Sequence, residues 1–243
     1  MIIYFYLFLA GAVAFVVSTL TAGGGALMLL PVLSFIIGAA HVAPVMNLGN
    51  FIGRPVRLVL YWSYIKWDIV KYYLPASIFG AFLGAWLLSS LPVREIQIFI
   101  GLFLISTVLQ YRWGKKKHSF TMRLWYFAPL GFVIPFISSV TGALGPVLNP
   151  FMLNYRMTKE ELIATKTFNS FSAGLVQVGS YTFFGALYGK LWLWGLALGV
   201  GISLGNYIGK RVLKKITEKS FRKWAIAFMV LSGILLLIEA FYR

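Results

Sequence analysis

Long apolar blocks, separated by short polar stretches, dominate this chain. Residues 2–20, 192–204 and 225–238 form three of these blocks. A helix that spans a membrane needs about 20 mostly apolar residues, so a chain of 243 residues has room for many closely spaced segments. The pattern predicts an all-α, polytopic membrane protein without an appreciable water-soluble domain.

The blocks resolve into ten apolar segments: residues 2–20, 26–38, 42–64, 67–90, 94–111, 123–141, 145–155, 160–186, 191–209 and 221–241. The second and the seventh are too short to span a membrane comfortably. Each of these two follows a glycine-rich stretch, at 21–25 and at 141–145. We therefore expect helices that are broken at these two motifs.

The glycine-rich stretches also begin an internal repeat. A shift of 119 positions superposes four pairs of residues: Gly23 on Gly142, Pro31 on Pro150, Asn47 on Lys166 and Asn50 on Asn169. Matches that recur in one order across two halves indicate a repeat architecture. We divide the chain into a first membrane repeat, residues 1–118, and a second, residues 119–243, within one membrane domain.

The basic residues indicate how the two repeats are oriented. When the loop at 115–117 is placed in the cytoplasm and the sides alternate from there, 16 Lys and Arg residues fall in inside loops and 3 in outside loops. Cytoplasmic loops of membrane proteins carry an excess of such residues. The sequence therefore predicts two inverted repeats of about five segments each in the cell (inner) membrane, with both termini outside.

Composition supports the membrane assignment and limits the classes of partner that we expect. Hydrophobic residues make up 60% of the chain and charged residues 12%, against about 25% charged residues in soluble domains. The net charge of +16 comes from short loops, so the expected partner is the lipid bilayer and no nucleic acid.

Residues 2–20 lack the basic start of a signal peptide, so we expect them to remain as the first helix. The chain is expected to be a monomer or a homodimer.

The glycine-rich stretches are also candidate binding elements. Discontinuous helices in inverted repeats place half-helix N-termini near the bilayer midplane, where unpaired N–H groups attract anions, and glycine lets a ligand approach the backbone. The alternative is close helix packing, which we expect for the glycines at 80/84, 195/199 and 201/205/209. The candidates for binding are Gly23, Gly24, Gly25, Thr141 and Gly142.

The third segment carries a polar face. Asn47, Asn50, Arg54 and Arg57 are three or four residues apart, which places them on one side of a helix. Arg54 lies roughly 15 Å from the cytoplasmic end of the segment, and an arginine at such depth normally faces an interior partner or a water-filled path. An anion is the expected partner. The alternative is an arginine that caps backbone carbonyls of a broken helix.

The eighth segment repeats this polar face with Lys166 and Asn169, followed by Gln177 and Ser180. Lys166 either contributes to the anion site or extends to the membrane surface. The position that corresponds to Arg54 is Ala173, so we expect the site to lean towards the first repeat.

The six acidic residues exclude several kinds of chemistry, because all of them fall in loops or near segment ends. A relay of carboxylates in mid-membrane, which many pumps use, therefore has no residues here. His41 and His118 fall between segments on opposite sides, so neither a metal site nor another cofactor site is expected. No base stands beside a nucleophile, so the chain is not expected to be an enzyme.

These motifs resemble the sulfite exporter TauE/SafE family. The resemblance rests on three features: the run of Gly23, Gly24 and Gly25 followed by Pro31, its counterpart from Thr141 to Pro150, and the sequence Ala164-Thr165-Lys166. The resemblance implies a membrane transporter of small organosulfur or sulfur-oxyanion compounds, with Gly23–Gly25, Gly142 and Gly145 in its motifs. The chain departs from the family pattern at Ala143 and Leu144, where the second motif usually has glycines.

Residues and resemblance together predict a transporter of a small anion, a sulfur oxyanion or organosulfonate, held at mid-membrane between the repeats. Arg54 and Lys166 would neutralise its charge, and Asn47, Asn50 and Asn169 would line the site. The alternatives are an anion channel and a structural or regulatory membrane subunit that moves no substrate.

Overall fold

A computed structural model of the chain describes residues 2–20, 24–113, 122–142, 147–155 and 157–212, with 230–231, 234–235, 237–238 and 240–241. These residues form helices and turns, and no strand is present among them. Three helical stretches in this part are long and apolar enough to cross a membrane: Trp67–Ser90, Leu124–Thr141 and Lys190–Gly209. The predicted all-α class is confirmed.

The described ranges contain ten α-helices: α1 (Ile2–Leu20), α2 (Gly24–Ile37), α3 (Ala39–Gly53), α4 (Pro55–Leu60), α5 (Trp67–Ser90), α6 (Val93–Trp113), α7 (Phe127–Thr141), α8 (Asn149–Asn154), α9 (Lys159–Phe183) and α10 (Lys190–Val212). Short 3-10 helices at Trp62–Tyr64 and Leu124–Tyr126 follow α4 and precede α7. The predicted tenth segment, residues 221–241, lies largely outside the described residues.

The helices follow the predicted apolar segments with one clear exception. The third segment, residues 42–64, was expected to be continuous, and this expectation is wrong. α3 ends at Gly53 and α4 begins at Pro55, because proline has no N–H to donate to the carbonyl four residues earlier and its ring crowds that carbonyl. Arg54 stands at the break between the two helices. His41, expected between segments, lies in the first turn of α3.

Helices from the two predicted repeats pack against each other in corresponding pairs. α1 packs against α10, and α5 packs against α7. α3 packs against α10, and α9 packs against α5. In each repeat, therefore, the helices of the first and third segments contact the helix of the fourth segment of the other repeat.

Glycines permit the closest of these contacts. Gly80 and Gly84 of α5 lie against main-chain carbonyl groups of α7. Gly201 and Gly205 of α10 lie in the same way against main-chain carbonyl groups of α1. At each of the four positions an added Cβ would overlap the facing carbonyl oxygen, so the packing role that we predicted for these two glycine pairs is confirmed.

α3 and α4 run antiparallel to α9, and this pairing positions the polar residues. In the middle of α3, the Asn47 side chain hydrogen-bonds Tyr181 near the end of α9. Beyond α4, the backbone N–H of Lys66 donates to the hydroxyl of Thr165, near the start of α9, over 2.9 Å. The polar faces predicted on the third and eighth segments therefore belong to helices that face each other.

The first turn of α9 is fixed by its own side chains. Thr158 and Glu161 form a capping box in which each side chain accepts a hydrogen bond from the other's backbone N–H. Glu161 also forms an ion pair with Lys66 over 2.8 Å. Two of the other described acids, Asp68 and Glu95, lie in the first turns of α5 and α6, where the helix dipole favours negative charge. These carboxylates lie at helix ends, as the sequence predicts.

Candidate functional site

Three basic side chains come together where α3, α4 and α9 meet. Lys166 of α9 lies within electrostatic range of both Arg54 and Arg57, and Arg54 is also within range of Arg57. All three side chains are half-buried. The structure thus brings together three of the basic residues that the sequence places inside segments.

Arg54 reaches across to α9. One of its terminal nitrogens, Nη1, donates a hydrogen bond of 2.7 Å to the carbonyl oxygen of Ser170. Gly174, one turn further along α9, leaves room for the guanidinium, because a Cβ there would stand 3.1 Å from Nη1. Our alternative to an anion role for Arg54 was that it binds backbone carbonyls, and the bond to Ser170 is one such contact. The guanidinium has further N–H donors for which the described residues provide no other hydrogen-bond acceptor.

Arg57 is held from the side of α10. Its Nη2 donates to the side-chain oxygen of Asn206 over 2.7 Å, and the amide nitrogen of Asn206 donates to the carbonyl oxygen of Gly53. Asn206 therefore binds both sides of the break between α3 and α4. This role could not be predicted from the sequence, since Asn206 lies outside the repeated polar faces.

Lys166 and Asn169 line the α9 side of the cluster. The Lys166 ammonium donates to the side-chain oxygen of Asn149, at the start of α8, over 2.7 Å. Lys166 therefore points inward rather than extending to the membrane surface. Asn169 is buried, with 1% of its surface exposed, and neither its oxygen nor its nitrogen has a hydrogen-bond partner. A buried amide without a partner is costly and marks a position at which a ligand would complete the bonding.

No described carboxylate neutralises Arg54 or Lys166. The described acidic residues are Asp68, Glu95, Glu160 and Glu161, and all four lie in the first turns of α5, α6 or α9. The charged groups that act on Arg54 and Lys166 are the neighbouring basic side chains. A cluster of like charges with polar but uncharged surroundings is suited to an anion.

A second polar group lies around Asn47, in the middle of α3. Asn47 donates to the carbonyl oxygen of Ser138 over 3.1 Å and to the Tyr181 hydroxyl over 2.9 Å. The Tyr181 hydroxyl donates to the carbonyl oxygen of Ser139 over 2.5 Å, and the Gln177 amide donates to the Ser139 hydroxyl over 3.0 Å. Asn47 thus belongs to a network that ties α3, α7 and α9 together. Its side-chain oxygen has no partner.

Tyr181 and Ser139 were missed by the sequence analysis, because a single tyrosine or serine in an apolar segment carries no pattern. Asn50, between the two polar groups, is buried in α3. The polar face predicted on the third segment therefore divides: Asn47 joins the tyrosine network, whereas Arg54 and Arg57 join Lys166.

The Tyr181 hydroxyl provides a test of this network. Tyr181→Phe is expected to lower the free energy of unfolding by about 1–3 kcal/mol, because it removes the buried hydrogen bonds that the hydroxyl makes with the Asn47 amide and the Ser139 carbonyl. Thermal unfolding in detergent would measure the change. Tyr188→Phe is the matched control, because Tyr188 is 57% exposed. Equal melting temperatures for the two variants would contradict a stabilising role for the Tyr181 hydroxyl.

The second glycine-rich stretch ends α7 beside α3. Gly142 has a positive φ of 87°, which favours glycine, and its N–H donates to the carbonyl oxygen of Ser138 over 2.8 Å. Thr141, just before it, is buried, and its hydroxyl donates to the carbonyl oxygen of Ile137. Since the N–H of Gly142 itself is used in capping α7, an anion at this position would need other donors.

The first glycine-rich stretch is described only in part. Gly24 and Gly25 form the start of α2, and Gly23 lies outside the described residues. Residues 143–146, which contain the rest of the second motif, also lie outside them. The prediction that these glycines bind a ligand therefore stays a prediction.

Comparison with known families decides the class of protein. A family model described as "Sulfite exporter TauE/SafE" matches residues 7–236, nearly the whole chain. The chain belongs to the sulfite exporter TauE/SafE family. No curated protein and no solved structure matches the chain.

Membership of the TauE/SafE family makes the chain a membrane transporter of the sulfite or anion type, in agreement with its apolar helices. A transporter family is also consistent with our prediction that the chain is not an enzyme. An anion transporter needs positively charged groups for its substrate. The cluster of Arg54, Arg57 and Lys166, which has no carboxylate beside Arg54 or Lys166 among the described residues, is consistent with such a role.

Proposed function

We propose that the protein carries a small sulfur oxyanion or organosulfonate across the cell membrane and binds it at mid-membrane. Arg54 and Lys166 neutralise the charge of the anion. Asn169 and Asn50 donate hydrogen bonds to its oxygens, and backbone N–H groups near Gly25 assist. The observation that carries this proposal is the nearness of Arg54 and Lys166, with no carboxylate beside them among the described residues and with the unpartnered amide of Asn169 on the same helix as Lys166.

The proposed site lies between two inverted repeats, residues 1–118 and 119–243. The reciprocal packing of α1 on α10 and of α7 on α5 supports this arrangement, as do the glycine pairs that face main-chain carbonyls in both contacts. With five crossings in each repeat, both termini lie outside. A reporter fused after Arg243 tests this arrangement, and a cytoplasmic signal there would contradict it.

Export is the proposed direction. Moving one elementary charge through 100 mV is worth about 2.3 kcal/mol, and the interior of a cell is negative. An anion therefore leaves the cell downhill without a coupling ion. This direction suits a chain whose described carboxylates all lie in the first turns of helices rather than inside the membrane region.

Uptake into proteoliposomes tests the proposed function. Labelled sulfite, thiosulfate, sulfate and a sulfonate would be offered to vesicles that contain the full chain, with protein-free vesicles as the control. We expect saturable uptake of at least one of these anions. Uptake that does not saturate would favour a channel, and an absence of uptake for all four would favour a structural or regulatory subunit.

A further inference from the structure

The helices group into two bundles that do not coincide with the two proposed repeats. In the first bundle, α10 packs against both α1 and α3. In the second bundle, α5 packs against both α7 and α9. Since α10 comes from the second repeat and α5 from the first, each bundle combines helices of both repeats.

Close contacts at glycines hold each bundle together. In addition to the glycine contacts of α10 with α1 and of α5 with α7, Gly199 of α10 lies against Ile52 of α3, and Gly131 of α7 lies against the main chain of Tyr73 in α5. An added Cβ at either glycine would overlap the facing residue. Such close-packed contacts are stiff and transmit displacement, so each bundle is expected to move as one body.

The contact between the two bundles is of a different kind. Where α3 faces the second bundle, the Asn47 amide donates to the Tyr181 hydroxyl over 2.9 Å, and Arg54 donates to the carbonyl oxygen of Ser170 over 2.7 Å. Both are bonds of single side chains, so they can break and form again without any change in the packing inside either bundle.

The two parts of this contact differ in their burial. Around Asn47, the bundles share one apolar core, which includes Met46 of α3 and Val178 and Tyr181 of α9. Around Arg54, the three side chains of the basic cluster are only half-buried. The contact is therefore closed around Asn47 and more open around Arg54.

We propose that the anion crosses the membrane when the first bundle rocks against the second at the contact of α3 with α9, and that the bonds of Asn47 close the anion site towards the outside. This inference rests on the proposed function, which places the anion at this contact and Asn47 on its outer side. Rigid-body rocking around a fixed site is how many inverted-repeat transporters expose it to each side in turn. Here the moving bodies are the bundles, not the repeats.

Pairs of introduced thiols can lock one contact at a time, because the chain contains no cysteine. Phe51→Cys with Gly174→Cys links the two bundles, since a Cβ at position 174 would lie 3.6 Å from the Cβ of Phe51. Gly49→Cys with Leu198→Cys links the two repeats inside the first bundle, since a Cβ at position 49 would lie 3.3 Å from the Cβ of Leu198. Disulfides join Cβ atoms about 3.5–4.5 Å apart, so both pairs are close enough to be oxidised.

The measurement is counterflow of the four labelled anions named above, in proteoliposomes that contain each full-length variant before and after oxidation. We expect oxidation of the Phe51→Cys/Gly174→Cys protein to lower counterflow to the level of protein-free vesicles, and dithiothreitol to restore it. The oxidised Gly49→Cys/Leu198→Cys protein should keep the rate of its reduced form, because its link lies within one moving body.

A second pair covers the case in which the reduced Phe51→Cys/Gly174→Cys protein transports nothing. Phe51→Cys with Phe171→Cys, joined by a short bifunctional thiol reagent, links the same two bundles and leaves Gly174 unchanged beside Arg54. The two phenylalanine rings stack with their centroids 4.8 Å apart, so a short linker spans the positions. The same loss of counterflow is expected.

A link between the bundles that leaves counterflow intact would overturn the inference. A link between residues 49 and 198 that stops counterflow would also overturn it, because the repeats would then move as the bodies. In either case anion transport by the wild-type protein would stand. If the wild-type protein moves none of the four anions, the proposed function fails instead, so the two failures are distinguishable.

Discussion

Arg54→Gln is expected to remove most anion binding while the protein stays folded. Glutamine keeps a donor for the carbonyl of Ser170, which Arg54 Nη1 contacts at 2.7 Å, but it lacks the positive charge. Loss of one partner from a buried charge pair costs roughly 2–5 kcal/mol, so affinity should fall about thirtyfold or more. Calorimetric titration of the detergent-solubilised protein with the transported anion would measure this.

Arg94→Gln is the matched control for this change. Arg94 is exposed at the start of α6, and its Nε donates to the carbonyl oxygen of Ala240. It lies among the few basic residues that our topology places outside, far along the chain from the cluster of Arg54, Arg57 and Lys166. If the Arg54→Gln and Arg94→Gln proteins bind the anion with equal affinity, Arg54 serves only to hold α9 through its bond to the Ser170 carbonyl.

Gly80→Ala is expected to destabilise the protein by about 1–3 kcal/mol, the usual effect of overpacking. The added methyl group would meet the main chain of α7 rather than a flexible side chain, so the two helices would have to move apart. Gly201→Ala should act in the same way at the contact of α10 with α1. Thermal unfolding in detergent and the yield of monodisperse protein would measure both effects.

Gly179→Ala is the control, because nothing lies within 4 Å of a Cβ at that position of α9. Alanine favours a helix over glycine by roughly 0.5–1 kcal/mol, so this variant should be unchanged or more stable. The two classes of substitution should therefore change the melting temperature in opposite directions. If Gly80→Ala and Gly179→Ala have the same effect, close backbone packing is not what holds α5 against α7.

The bounds of a helix could be predicted from the sequence where its segment is apolar throughout and ends at polar residues. α1 and α5 have the predicted bounds, since each is a continuous apolar block with a clear polar limit. Pro55 divided the third segment although α5 continues through Pro75. The sequence alone does not separate these cases, because whether a helix continues past a proline depends on which neighbouring groups satisfy its backbone.

The candidate site was predictable in part. A basic residue deep in an apolar segment is unusual enough to be informative by itself, and the structure places Arg54 and Lys166 within electrostatic range of each other. The bonds of Asn206 and Tyr181 were not predictable, because they depend on contacts between residues more than a hundred positions apart. The glycine motifs carried the family resemblance, and the family match confirms it.

Counterflow across proteoliposomes tests the central claim, that Arg54 holds an anion which the protein carries through the membrane. Vesicles loaded with an unlabelled sulfur oxyanion would be diluted into a trace of the same labelled anion. The account predicts transient, saturable accumulation of label with the wild-type protein and almost none with Arg54→Gln. Accumulation that is equal for the two proteins, or absent from both for every anion offered, would contradict it.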